Sequence, residues 1–276
     1  MSPRRPIGTP EQLIRHIGHH NCVNEIQTTL LGMYKDVKTI LDEHRIRFYV
    51  HFGTAIGTLR HDGFIPWDDD IDLFVWREDL DEVNRVLSAE LDPCRYYYHE
   101  PSADDHPHVV FRSDDMEDAL REQRAPFIDL FVIEPYPEGR MRRILADISI
   151  MGSSCSIWAI DRISNMRIHR MISWIPEAFS RIGHMVCEKN TSMTVIYCTG
   201  FRKLRFPAAS YDGAYMHAFE DTEVPLPGGV DRMLRSVFGD YMTPPPEDQR
   251  TGASGFPCSI LKDYLAEMHG HHRCVP

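Results

Sequence analysis

Four aspartates, Asp68, Asp69, Asp70 and Asp72, fall within five positions of the stretch GFIPWDDDIDLFVW. They run straight into Leu73, Phe74 and Val75, residue types suited to a core. An exposed acidic turn would account for DDD alone, but not for acids that continue into an apolar strand. Residues i and i+2 of a strand share a face, so Asp70 and Asp72 point one way while Ile71 and Leu73 point the other. Two neighbouring carboxylates raise each other's pKa unless a cation lies between them. A divalent metal supplies that cation, and Mg2+ commonly combines one or two carboxylates with water and phosphate oxygens. Asp68 and Asp69 sit at the turn before the strand, where a supporting role suits them.

Asp129 is a candidate third ligand. It stands alone in the apolar run FIDLFVI, and a buried carboxylate needs a metal, a cation or a proton. If its strand lies beside the first, the three acids form one cluster. A strand-end aspartate reaching solvent is the other reading.

The stretch HFGTAIGTLRH precedes the acids. It reads as a strand, a Gly53-Thr54 turn and a helix start, with Thr54 as N-cap. Amides at a helix N-terminus bind phosphate, and Gly53 allows close approach. Arg60 and His61 follow as candidate anion contacts, and are equally readable as ordinary surface residues.

The segment GTAIGTLRHDGFIPWDDDIDLFV resembles the signature of the LicD family, which includes the fukutin-related proteins. FIDLFVIEPYP is similar to that family's next acidic strand, and EVPLPGG followed by LRSVFGDYMTPPP to its closing segment. Two departures stand out. Phe52-Gly53 occupies a place where the family often has Gly-Gly or Asp-Gly, and HVVFR lacks a lysine common before Arg112. The resemblance implies an α+β fold: a nucleotidyltransferase-type mixed β-sheet flanked by helices, with a mainly helical insertion. It implies Asp70, Asp72 and Asp129 as catalytic metal ligands for Mg2+ (or Mn2+), and Gly53 and Thr54 as the phosphate turn. Arg60, His61 and Arg112 complete the candidate substrate-binding set. The implied reaction moves a phospho-alcohol group, such as phosphocholine, from a CDP-alcohol donor to a hydroxyl of a glycan or lipid-linked glycan, releasing CMP. Asp129 is also a candidate acceptor for the proton of that hydroxyl. An NTP-dependent nucleotidyltransferase would need the same acids. A non-catalytic glycan- or nucleotide-binding protein would be expected to have lost one of them.

These residues need elements to hold them. Apolar positions Ile26, Leu30, Met33, Val37 and Leu41 predict an amphipathic helix over 24–44. Strands are expected in RFYVHF, DIDLFVW, CRYYYHE, HVVFR and FIDLFVI, with a helix from about Glu78 to Glu90. Helical spacing returns over Met141–Ile150 and Ser156–Trp174, with a break at Pro176. EVPLPGG reads as a connecting segment and VDRMLRSVFGDY as a helix stopped by the prolines of MTPPPEDQR. The expected organisation is a flexible arm (1–23), a catalytic core (24–139), a basic insertion (140–205), a closing segment of the core (206–250) and a tail (251–276).

Composition narrows the class. The 276 residues are 42% hydrophobic and 26% charged, enough for a sizeable core. A net charge of −11 argues against a nucleic-acid binder. The charge is uneven: 140–205 carries eleven Lys and Arg against four Asp and Glu, or +7, leaving −18 elsewhere. That segment could face an anionic bilayer or a lipid-linked glycan, with Trp158 and Trp174 near the interface, or pack those tryptophans in a small helical core. Seven cysteines without a CxxC pair predict free thiols in a reducing compartment. MSPRRPIGTPEQ has no apolar stretch, so no signal peptide is expected, and no run of eighteen apolar residues occurs. The expected location is cytoplasmic, at most peripheral on the inner face of the membrane. The tail EMHGHHRC groups His269, His271, His272 and Cys274, but so tight a spacing suits a flexible tail better than a tetrahedral zinc site.

Overall fold

The computed structural model describes residues 23–99, 106–112, 125–163, 165–186, 191–198, 202–250 and Tyr264. The histidines and cysteine of the tail, and almost all of the expected N-terminal arm, lie outside these residues.

The chain builds an α+β fold on a mixed seven-stranded sheet. Helix α1 (Val23–Glu43) leads into strand β1 (Phe48–Val50), helix α2 (Phe52–His61) and strand β2 (Ile71–Trp76). Helix α3 (Leu80–Glu90) follows, then β3 (Tyr96–His99), β4 (His108–Phe111) and the long β5 (Phe127–Tyr136). In space the strands run β1-β2-β5-β4-β3. Among the described residues only β2 and β5 pair in parallel; the other pairings are antiparallel. The end of β5 also pairs with β6 (Met193–Cys198), which pairs with β7 (Arg202–Pro207). Between β5 and β6 lie helices α4 (Arg140–Asp161), α5 (Met166–Ile172) and α6 (Trp174–Met185). A hairpin of β8 (Tyr215–Phe219) and β9 (Thr222–Leu226) and helix α7 (Val230–Phe238) complete the described chain.

Side-chain alternation gives the sheet two unlike faces. Ile71, Leu73 and Val75 of β2 and Ile128, Leu130 and Val132 of β5 enter the main core. There α1 buries Leu30, Met33, Val37 and Leu41, and α3 buries Leu80, Val83 and Leu87. The helical periodicity read from the sequence is therefore the packing face. The opposite face carries a smaller aromatic core of Tyr49, Phe74 and Phe131, covered by Phe206, Tyr211 and Met233. Above that core lie the acidic residues.

Several local expectations change. Thr54 does not cap α2. His51 does, its Nδ1 accepting from the Phe52 amide at 2.8 Å, and Thr54 lies buried inside the first turn. The helix reaches back further because Phe52 adopts φ 45°, turning the chain directly from β1 into α2. Helix α4 runs unbroken through Gly152–Ser156, and at Gly152 it packs closely on α6: a Cβ there would stand 2.7 Å from Phe179 Cδ1. The helix expected over Ser156–Trp174 is divided, since Asn165 caps a new one by accepting from the Arg167 and Ile168 amides. Pro176 breaks nothing, because it lies in the first turn of α6, where its missing N–H leaves no bond unmade. The interval 140–205 is mainly helical but ends in β6 and β7, whose runs are short: MTVIYC does not alternate, and RKLRFP does so only over Lys203–Phe206. EVPLPGG is not merely a connection. Its first residues form β9, with Pro225 tolerated in a two-stranded ribbon that is all edge.

The conformation of Phe52 is costly for a bulky L-residue. The ring is held by Phe74 at 5.0 Å, Phe131 at 5.3 Å and Phe238 at 6.3 Å between centroids. Phe52→Ala loses this packing and keeps the strain, whereas Phe52→Gly loses the packing but relieves the strain. The Gly variant should be more stable than the Ala variant by about 1 kcal/mol, the reverse of their usual order in a helix. Chemical denaturation of both checks this; an Ala variant at least as stable would show an unstrained turn.

Candidate active site

The strand registers assemble one polar row across the sheet. Asp72 of β2 stands opposite Asp129 of β5, Asp129 opposite His108 of β4, and His108 opposite His99 of β3. Register partners share a face, so all four side chains project from the face away from the main core. The His51 amide donates to the Asp72 carbonyl at 3.3 Å, which carries the row to the end of β1. Asp70 lies one residue before β2. Its carboxylate and those of Asp72 and Asp129 bring one oxygen each within 4.8 Å of one another.

Burial pushes the Asp72 and Asp70 carboxyls well above the ordinary range, and the charges of neighbouring acids push them further. Asp68 is raised to about 7, first by burial and then by Asp69. Asp129 behaves in the opposite way. Burial would raise it, but the charge and ring N–H groups of His108 and His106 outweigh that and hold it below the usual carboxylate range. His108 Nε2 lies 2.8 Å from Asp129 Oδ1, and His106 Nε2 lies 3.5 Å from the same atom. Both imidazoles are buried. Among the described residues no Lys or Arg pairs with Asp70 or Asp72. Buried acids that lack a cation of their own, yet converge within a few ångströms, fit a hard divalent metal. His51 stays neutral, since burial pushes it down to about 3.

The segments around the acids fix their geometry. The Asp72 amide donates to Thr54 Oγ1 at 2.8 Å, and the Gly53 amide hydrogen-bonds the Asp72 carboxylate. Gly53 and Thr54 therefore hold Asp72 itself. A side chain at Gly53 would collide with the Asp68 carboxylate, 2.6 Å from an added Cβ. Gln27 of α1 clamps the loop before β2, donating from Nε2 to the carbonyls of Ile65 and Asp68, both at 2.9 Å. From the other side Glu220 accepts from the Phe64 amide at 3.1 Å.

The remaining candidates lie around this centre. Arg60 donates to the Tyr241 carbonyl at 2.7 Å and to His61 Nε2 at 2.9 Å, and its charge acts on Asp68. It thus ties the closing segment to the acid loop. His61 is exposed, and its pKa is lowered by burial and by Arg60. Arg112 lies at the far end of β4, its guanidinium over the rings of Tyr97 (5.5 Å) and Tyr264 (5.7 Å). The sequence reading missed His106 and His108. Their signal is HPHVVF: two histidines two residues apart at the mouth of an apolar strand.

Comparison with known proteins converges on the same stretch. Residues 45–145, which span both acidic strands, match the family described as LicD/FKTN/FKRP, nucleotidyltransferase domain. The chain is 24% identical over 257 residues to the lipopolysaccharide cholinephosphotransferase LicD of Haemophilus influenzae, covering 83% of this chain and 94% of that protein. An uncharacterised protein of Rickettsia prowazekii is 34% identical over 59 residues, 21% of this chain and 22% of its own length. The human ribitol 5-phosphate transferase FKRP is 33% identical over 51 residues, 18% of this chain and 10% of its own length. Laid over the converging aspartates, this match makes residues 45–145 similar to the nucleotidyltransferase domain of the LicD/FKTN/FKRP family.

Proposed function

We propose that this protein is a metal-dependent phosphotransferase. It moves a phospho-alcohol group of the phosphocholine type from a CDP-activated donor to a hydroxyl of a glycan or lipid-linked glycan, and releases CMP. One observation carries the reading: Asp72 and Asp129 from two parallel strands, and Asp70 just before the first of them, converge with oxygens within 4.8 Å. The names of the relatives, a cholinephosphotransferase and a ribitol 5-phosphate transferase, support the reaction class.

Asp70, Asp72 and Asp129 would hold Mg2+ (or Mn2+), which supplies charge neutralisation for a diphosphate and its leaving group. The chain's own residues do the positioning. Thr54 and Gly53 fix Asp72 through its amide and its carboxylate. His108 and His106 keep Asp129 ionised through one oxygen, so the other remains for the ion. A carboxylate held that low is a good ligand and a weak base, so these surroundings favour the ligand role over the proton-accepting one. Arg60 stands at the Asp68 side of the cluster, where its charge can meet a phosphate.

Asp72→Asn should leave the fold intact and reduce metal-dependent CMP release from CDP-choline, CDP-ribitol, CDP-glycerol or CDP-ethanolamine by about 100-fold or more. Unchanged turnover would sink the assignment. Pyrophosphate release from ATP, with all four donors inert, would replace it with nucleotidyl transfer. His108→Gln keeps the three acids but removes the charge that holds Asp129 low. Metal affinity measured by calorimetry should fall about 10- to 100-fold; unchanged affinity would show that the histidine does not support the ligand. Mg2+ binds the ionised carboxylates, and protons compete at acids whose pKa values are raised, Asp68 to about 7. The rise in melting temperature on adding Mg2+ should therefore grow as the pH increases from about 5 to about 8. A rise that is flat across this window would place the ion elsewhere.

A further inference from the structure

Over Met141–Ser153 helix α4 is packed inside out. Its large apolar residues Met141, Ile144, Leu145, Ile148 and Met151 recur at helical spacing and are all exposed. The stripe that meets α6 is small or polar: Ala146, Ser149 and Ser153 are buried, and Gly152 allows Phe179 to approach. The next two helices continue the exposed apolar surface. Met171 of α5 is 70% exposed, and Trp174, Ile182 and Met185 of α6 are 62%, 51% and 84% exposed. Most of the large exposed apolar side chains among the described residues thus lie between 141 and 185. Burying small residues between helices while showing large apolar ones outward is the arrangement expected when the surroundings are lipid. Yet no helix among the described residues is long and apolar enough to cross a membrane. The surface is therefore shaped to lie on a bilayer.

Charge points to the same partner. Arg140, Arg167 and Arg170 are exposed beside the apolar side chains. Two acids of these helices are paired: Asp147 with Lys203 and Glu177 with Arg181. The segment 140–205 is +7, against −18 for the rest of the chain. An anionic surface would repel the remainder of the molecule and attract this part alone, which fixes the orientation of approach. Arginines flanking Met, Ile and Trp on an amphipathic surface match the chemistry of the headgroup boundary.

We propose that the outer face of α4, α5 and α6 docks on an anionic lipid bilayer. The face binds without spanning, with its apolar side chains among the upper acyl chains and its arginines at the phosphates. This inference is independent of the phosphoryl-transfer reading.

Cosedimentation of the full-length chain with vesicles of phosphatidylcholine containing phosphatidylglycerol tests it, with phosphatidylcholine alone as the control. Binding should be at least about tenfold stronger to the anionic vesicles, and high salt should weaken it. Ile148→Glu combined with Ile182→Glu alters only exposed positions, so circular dichroism should be unchanged while pelleting is lost. Arg140→Gln, Arg167→Gln and Arg170→Gln together should erase the preference for anionic lipid. Trp174 emission should shift to the blue on binding, and a Trp174→Phe variant should lack the shift. The proposal is overturned if the chain stays in the supernatant with anionic vesicles, or if the double glutamate variant binds as well as the parent. It is also overturned if light scattering finds a dimer that the same variant splits, since the face would then belong to a second copy of the chain.

Discussion

The site depends on one pairing, the parallel register of β2 with β5. It sets Asp72 beside Asp129 and turns both toward the face that the main helices leave open. Each strand taken alone presents an isolated acid in an apolar run. Pairing converts two costly burials into one cluster that a single cation can neutralise. The alternation that buries Ile71, Leu73, Ile128 and Leu130 is the same alternation that brings the acids together. Core formation and site formation are thus one event: a slip of one residue would send the carboxylates into the core.

The surroundings treat the two strands differently. On β2 the acids are crowded, buried and raised, with backbone and hydroxyl groups of α2 directed at Asp72. On β5 the acid is held ionised by His108 of β4 and by His106 two residues before that strand. Gln27 of α1 and Glu220 of the β8–β9 hairpin bond the intervening loop, and Arg60 of α2 ties it to the closing segment through the Tyr241 carbonyl. A loop carrying this much like charge would otherwise spread apart. Residues far apart in sequence hold it closed, which explains why the closing segment near residue 241 belongs with a motif near residue 68.

Much of this was legible in the sequence, and the remainder was not for identifiable reasons. The spacing of Leu30, Met33, Val37 and Leu41 announced α1, and the DID alternation announced an acidic face on β2. That Asp129 joins them required an adjacency that no single strand states. His106 and His108 gain meaning only once β4 is known to flank β5. Helicity between 141 and 185 could be read from spacing, but its direction could not. Periodicity marks a stripe and leaves open whether a neighbour or the surroundings will cover it. His51 was hidden as a cap because the residue after it, Phe52, takes a backbone conformation that propensity assigns to glycine. Strands β6 and β7 escaped because MTVIYC does not alternate and RKLRFP alternates only over Lys203–Phe206, too short a run to stand out.

The length of β5 ties the two halves of the molecule together. Its first residues hold Asp129 in the polar row, while Glu134–Tyr136 pair with β6. Through Lys203 of β7 and Asp147 of α4, that end is linked to the helical layer. A strand hydrogen-bonded along its length behaves as a stiff rod, conveying displacement where a loop would absorb it. Load placed on the helices therefore has a short mechanical route, about 17 Å of continuous strand, to the carboxylate at the far end.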